Sequence, residues 1–388
     1  MSEVTQPSAG QFKTGQQLDV KPPDQLKEIE KIMVAAAKHK ASDLHLKAGQ
    51  KPILRINTEL HDVGSRALSA DEIRKMIYEI LSAKQARTLE EELGLDFAYS
   101  IPGVGRFRVN VYHDRGRLSL AARRVNTTIP SFEDLHLPLA LKKICDFEQG
   151  LIVVAGATGS GKSTTLACIL DYINTNQRAH MVTVEDPIEF LFQDKNSFVS
   201  QREIGIDVPN FARALKEVVR EDPDVILLGE MRDAESFDAA LQAAETGHLV
   251  FTTIHASTAS QTISRLLDLF ATDRQKLIRQ NLAFNLRAIM CQKLLPACMQ
   301  GIRMVPAVEI LFNNPSATKM IMTEEDKKLQ DLIRASQQEG MQDFNMSLMD
   351  LINAGLVSKK AAIQYSPNPE QLKMNLQGIF LSEQGIVG

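Results

Sequence analysis

The 388-residue chain contains no tryptophan, and its aromatic residues together make up only 5% of it. Single-stranded nucleic acid, which binds by stacking its bases on aromatic rings, would find few platforms here. A surplus of positive charge is missing as well. The formal net charge of -4 argues against a dominant nucleic-acid footprint and leaves room only for a local basic surface, so no nucleic-acid partner is expected. No apolar run approaches membrane-spanning length and the N-terminus has no hydrophobic signal segment, so a cytoplasmic protein is expected. Cysteine is scarce. Cys145, Cys168, Cys291 and Cys298 form no CxxC pair, and the six residues between the last two do not suit a zinc site, which leaves buried free thiols as the expectation. There is no internal repeat and no long low-complexity tract.

Hydrophobic residues at 44% and charged residues at 24% describe an ordinary globular composition, with material for two or three cored domains. Residues 1–22 mix Ser, Gly, Gln, Lys and Pro without apolar periodicity and read as a disordered tail. Over residues 24–39, Leu26, Ile29, Ile32, Met33 and Ala36 recur with helical spacing. SDLHLKAGQKPILRI then alternates as short strands about a turn at Gly49. Ser69 and Glu72 form a capping box for a helix with Ile73, Ile77, Ile80 and Leu81 on one face, and Ser82 with Gln85 can cap the next. LDFAYSIPGVGRFRVNVYHD reads as two strands about a Pro-Gly turn, followed by a third, RLSLAARRV. In the second of these Phe107, Val109 and Val111 share one face, and Arg106, Arg108 and Asn110 the other. Residues 23–125 therefore predict a small α+β domain.

Residues 126–140, with Pro130 and Pro138 and no strong periodicity, predict a linker. Behind it, residues 141–295 alternate apolar strands with helical patterns. LIVVAG, MVTVED, DVILLGE and LVFTTIH predict a parallel sheet with crossover helices, an α/β core. Asn210 can cap the helix carrying Phe211, Leu215, Val218 and Val219; Asp233 can cap the one that Gly247 ends. Beyond Leu295 the pattern, residues 296–388, becomes mostly helical.

The chemistry starts at residues 151–163, LIVVAGATGSGKS. An apolar strand runs into Gly156, Gly159, Gly161, Lys162 and Ser163 in the G-x-x-x-x-G-K-S spacing of a phosphate-binding loop, and TTLACILDYI continues as a helix. The glycines let backbone N–H groups curl round an anion at the helix N-terminus. Gly156, Ala157, Thr158, Gly159, Ser160, Gly161, Lys162, Ser163 and Thr164 are the expected binding residues for ATP. Lys162 would reach the β- and γ-phosphates and Ser163 would ligate Mg²⁺.

In such a sheet reactive residues sit beyond the C-terminal strand ends. DVILLGE closes on Glu230, which would hold Mg²⁺ through water or polarise the attacking water; Gly229 stands where many phosphate-loop proteins have Asp. MVTVEDPIEF offers Glu185, Asp186 and Glu189, and position alone does not choose between Glu185 and Glu189 as general base. TGHLVFTTIH has a histidine at each end. A regular strand separates them by roughly 23 Å, so they do not share one phosphate. His255, at the C-terminal end, is the candidate γ-phosphate sensor, and His248 a structural or interface residue. Arg106, Arg108, Arg123, Arg124, Arg202 and Arg232 are candidates for phosphate contact, including across a subunit boundary. Arg124 and Arg232 are taken as nucleotide-binding residues; Arg124 shares parity with the apolar Leu118, Leu120 and Ala122.

With these motifs the chain resembles the secretion ATPase superfamily and, within it, the PilT/PilU type of type IV pilus retraction ATPases. GATGSGKSTT looks like that family's Walker A, EDPIEF its Asp box, DPDVILLGEMRD its Walker B and ETGHLVFTTIHA its His box. SDLHL, GRFRVNVY, IPSFEDLHLP, QREIG and EGMQDFNMSL add to the likeness, which spans residues 24–375. The resemblance implies a PAS-like N-terminal domain, a RecA-like ATPase domain with a helical C-terminal part, and a homohexameric ring. By it Glu189 takes the general-base role, Glu230 the magnesium and water role, and His248 and His255 the His-box positions. It also implies work on an inner-membrane pilus platform protein, peripheral attachment to that membrane, and a paralogous retraction ATPase as a further partner. The four-cysteine zinc insert and longer N-terminal region of assembly ATPases are missing, which favours retraction. SATKMIMTEED stands at 316–326 where PilT-like proteins carry an AIRNLIRE-like motif; with NLRAIM at 285–290 this keeps a PilU-like accessory subunit as the alternative. A DNA-transfer or secretion motor is the weaker third reading.

Overall fold

A computed structural model describes residues 25–231 and 233–379. The expected tail at 1–22 and Arg232 lie outside the described residues. The chain divides into two compact units, the first ending at Val125 and the second beginning at Asn126.

The first unit runs α1 (Glu28–Lys38), β1 (Asp43–Leu46), β2 (Ile53–Ile56), β3 (Glu59–Asp62), α2 (Ala70–Ile80), α3 (Ala83–Glu92), β4 (Gly94–Ile101), β5 (Gly105–Asp114) and β6 (Arg117–Arg124). Its six strands form an antiparallel sheet in the order β3-β2-β1-β6-β5-β4. Sequence alternation becomes two faces. Phe107, Val109 and Val111 of β5 are buried with Ile29 and Met33 of α1 and Ile73 and Ile77 of α2, while Arg108 is exposed. Both capping boxes form: Ser69 Oγ accepts from Glu72 N and Ser82 Oγ from Gln85 N, with the return bonds to the Glu72 and Gln85 side chains. β3 has no sequence signature because all four of its residues are exposed.

The second unit opens with a 3-10 helix, Leu139–Asp146, and continues β7 (Gly150–Ala155), α4 (Lys162–Asn176), β8 (His180–Glu185), β9 (Phe198–Glu203), α5 (Phe211–Val218), β10 (Val225–Glu230), α6 (Ala234–Glu245), β11 (Leu249–Ile254), α7 (Ala259–Leu267), α8 (Thr272–Asn285), β12 (Leu286–Pro296), β13 (Met304–Phe312), α9 (Pro315–Met322), α10 (Leu329–Ala335), α11 (Phe344–Asn353), α12 (Lys359–Tyr365) and α13 (Pro369–Leu376). One sheet holds all seven strands, in the order β13-β12-β7-β11-β10-β8-β9; only the β12–β13 pair is antiparallel. Asn210 and Asp233 cap α5 and α6 by accepting from Arg213 N and Ser236 N.

Two expectations need correction. Beyond Leu295 the chain is mostly helical only from Pro315, because Met304–Phe312 is a strand that pairs with β12 from Ala288↔Phe312 to Pro296↔Met304. Eight of its nine residues are buried, and a run apolar but for Glu309, with no alternation of apolar and polar positions, has no period to distinguish strand from helix. Pro306 is tolerated because β13 is an edge strand. The second correction concerns the thiols. Cys145, Cys168 and Cys291 are buried, but Cys298 is exposed in the turn between β12 and β13. Among the described residues no helix is long and apolar enough to cross a membrane.

Candidate active site

The central strands are parallel and in register at their ends: Ala155 lies beside Ile254, Thr253 beside Glu230, and Leu228 beside Val184. Whatever follows or closes β7, β8, β10 and β11 must therefore meet at one edge of the sheet. A cavity of about 310 Å³ opens there. Thr158, Gly159, Lys162 and Ser163 line it from the phosphate loop, Glu185, Asp186 and Glu189 from the end of β8, Glu230 from β10 and His255 from β11.

The loop's shape follows from its glycines at two positions. Gly161 has φ +87° and Gly156 φ +158°, and a Cβ on either would come within 2.7 Å of Gln292 atoms. α4 begins at Lys162 behind Gly161, which gives no side-chain cap, so the helix's first N–H groups face the loop's anion position. Lys162 Nζ donates to Gly156 O at 2.8 Å and to Ala157 O at 3.2 Å. Burial pulls the lysine below its ordinary range, opposed by the Glu230 and Glu189 carboxylates. Ser160 Oγ is buried and without a hydrogen-bond partner among the described residues.

The structure separates the two carboxylates that position left equivalent. Glu185 is buried; it accepts from Thr183 Oγ1 at 2.7 Å, Gln201 Nε2 at 3.3 Å and the Glu189 amide at 3.4 Å. Burial pushes its carboxyl up to about 7, against those hydrogen bonds. Glu189 is exposed on the cavity wall, four residues further on. Glu230 Oε1 lies 2.8 Å from His255 Nε2. The pairing of β10 with β11 shifts register between Leu228 and Glu230, and Gly229 and Glu230 both line the cavity. The Gly229 carbonyl accepts from Thr253 Oγ1 at 2.7 Å.

His248 lies at the opposite end of β11, where its Nδ1 is 2.9 Å from Ala243 O. Arg202 is held by Glu217 and Glu221 at 2.9 and 2.7 Å and does not reach the cavity wall. Arg106, Arg108, Arg123 and Arg124 belong to the first unit; Arg123 pairs with Asp43 at 2.8 Å, and Arg124 Nε has no hydrogen-bond partner among the described residues. The sequence reading missed Gln201, Thr183 and Gln292. The only sign of Gln292 was one uncharged polar residue in the apolar run of β12.

Comparison with known proteins adds a family. A profile of the Type II/IV secretion system protein matches residues 21–340. The type IV pilus retraction ATPase PilT of Pseudomonas aeruginosa is 38% identical over 88% of this chain and 99% of its own length. The type IV pilus ATPase PilU of the same organism is 36% identical over 90% of this chain and 91% of its own. The crystal structure of the pilus retraction motor PilT with bound ADP is similar with a TM-score of 0.82 at 41% identity, covering 90% of this chain and 99% of that one.

Proposed function

The chain belongs to the Type II/IV secretion system protein family, and from that premise we propose that it is an ATPase motor that powers type IV pilus retraction. The observation that carries this reading is the convergence of Lys162, Glu189, Glu230 and His255 on one cavity at the ends of parallel strands. Each has a task. Residues 156–164 cradle the triphosphate, and Lys162 exchanges its two carbonyl partners for phosphate oxygens. Glu189 takes the proton of the water whose oxygen attacks the γ-phosphorus, while the bond to the β–γ bridging oxygen breaks and ADP leaves. His255 holds the Glu230 carboxylate in place. Arg124 and Arg232 supply further positive charge to the phosphates, one or both across a subunit boundary of a homohexamer.

The donor set fits magnesium. No group of three His, Cys, Asp or Glu is poised to hold a metal among the described residues, but a magnesium ion on a nucleotide takes most of its oxygens from phosphate and water. Ser163 directly and Glu230 through water would hold it, and bound there it would neutralise charge on the phosphates. The joint between the units lies where the first ends and the second begins, at Val125–Asn126; the expected linker beyond it packs on the second unit, with Phe132 and Leu137 buried in that core. The ring would act in the cytoplasm, peripheral to the inner membrane, on the platform protein that releases pilin.

Lys162→Ala and Glu189→Gln should each abolish turnover by the purified protein, the second by about 10²- to 10⁴-fold. Near-normal hydrolysis in both would sink the assignment. The nearly equal likeness to PilU supports a second reading, an accessory ring subunit beside a paralogous motor. Full rescue of a retraction-deficient strain by Lys162→Ala would favour it.

A further inference from the structure

Gln292 is 3% exposed in a strand whose neighbours Ala288, Ile289, Met290, Cys291 and Leu295 are fully buried and apolar. An amide placed in such surroundings costs free energy unless both its ends are bonded. Here both are. Its Nε2 donates to Ser160 O at 2.7 Å, and its Oε1 accepts from Thr165 Oγ1 at 2.8 Å. One side chain on β12 thus joins the phosphate loop to the first turn of α4, across 132 and 127 residues of sequence.

The Ser160 bond has a geometric consequence. In a trans peptide the C=O and the following N–H point in opposite directions. Drawing the Ser160 carbonyl inward to Gln292 therefore turns the Gly161 N–H outward, to the side on which an anion is cradled. Without that tie the Ser160–Gly161 peptide is free to rotate, and the rotated form would present a carbonyl oxygen to a phosphate. Gly161 permits such rotation, having no side chain, and its φ of +87° already lies in the region glycine tolerates. Thr165, one turn into α4, holds the amide of Gln292 so that its NH₂ and not its oxygen faces Ser160.

We propose that Gln292 is a positioning residue for nucleotide binding: through Ser160 and Thr165 it locks the phosphate-loop peptide whose N–H receives the phosphate. This rests on the reading of the cavity as a nucleotide site. Gln292 does not line the cavity; it acts through the loop and the first turn of α4.

The test measures binding of a fluorescent ADP analogue, and KM and kcat for ATP, with the full chain. Gln292→Met keeps the volume and loses both bonds; it should weaken ADP binding about tenfold and raise KM by a similar factor, with kcat within about twofold. Thr165→Val should weaken binding about threefold and Thr165→Ser, which keeps the hydroxyl, should match wild type. The double variant should bind no worse than Gln292→Met, because Thr165 acts through Gln292. If wild type binds and a folded Gln292→Met binds equally well, the positioning role falls while the nucleotide site stands. If wild type itself binds no ADP, the functional reading falls and this inference with it. Should Gln292→Met fail to fold, Thr165→Val decides, and unchanged ADP affinity in it overturns the proposal.

Discussion

In β11 of the C-terminal unit all six residues are buried, whereas in β5 of the N-terminal unit buried Phe107, Val109 and Val111 are separated by exposed Arg108 and half-buried Asn110. The difference comes from what covers each sheet. A parallel sheet built with crossover helices is covered on both faces, so polar side chains have little place along its strands and gather at the strand ends. That is where Lys162, Glu185, Glu230 and His255 are found. The antiparallel sheet has one apolar and one polar face, and its polar residues run along the strands, with Arg108 and Arg123 exposed. Arg108 on such a face looks the same whether it binds a phosphate or only solvent.

Aspartate placed at consecutive positions should break or sharpen this contrast, and it gives the largest effects. In β11 both Val250→Asp and Phe251→Asp bury an unpaired carboxylate and should each destabilise the second unit by about 4 kcal/mol or more, read by chemical denaturation. In β5 Val109→Asp should do the same to the first unit. A mild effect for either β11 variant would mean that one face of that sheet is open.

An intermediate effect is expected at the strand end, where Glu185 is the exception to the polar edge being solvated. Its carboxyl is raised to about 7 from an ordinary value of 4.5, so the folded chain holds this proton more tightly than the unfolded chain does. The sign is opposite to that of a salt-bridged carboxylate. Its contribution to stability is most favourable below about pH 4.5, falls as the pH rises towards 7, and is least favourable above that. Glu185→Gln removes the titration, so its stability relative to wild type should rise across that window by roughly 3 kcal/mol at most. Thermal denaturation of both proteins between pH 4.5 and 8 checks it; parallel curves would show that Glu185 does not carry the raised value. The smallest effect belongs to the open face: Arg108→Asp, opposite Arg123 on β6, should leave stability within about 0.5 kcal/mol. A loss comparable to Val109→Asp would show that this face is covered.

Much of this was legible residue by residue. The capping pairs Ser69–Glu72 and Ser82–Gln85 act over three positions, and the alternation of β5 repeats every second residue; both are local rules. β3 was not legible because its residues are all exposed. β13 was not, because a strand buried on both faces and apolar but for Glu309 shows no period, and only its pairing with β12 identifies it. At the site, the acid at the end of β10 and the histidine after β11 could be picked out as strand ends, but the 2.8 Å contact between Glu230 and His255 depends on which strands lie side by side.

The sequence by itself determined the phosphate loop, since glycine spacing, lysine, hydroxyl and helix start lie within a few consecutive residues and need no distant partner. It determined as well that the chain's polar chemistry collects at the ends of apolar strands. Only the tertiary structure decided which carboxylate of EDPIEF is buried and which faces the cavity, and which distant side chain reaches the loop's own carbonyl. Those are matters of register between strands far apart in the chain, and Gln292 meets Ser160 only because β12 pairs beside β7.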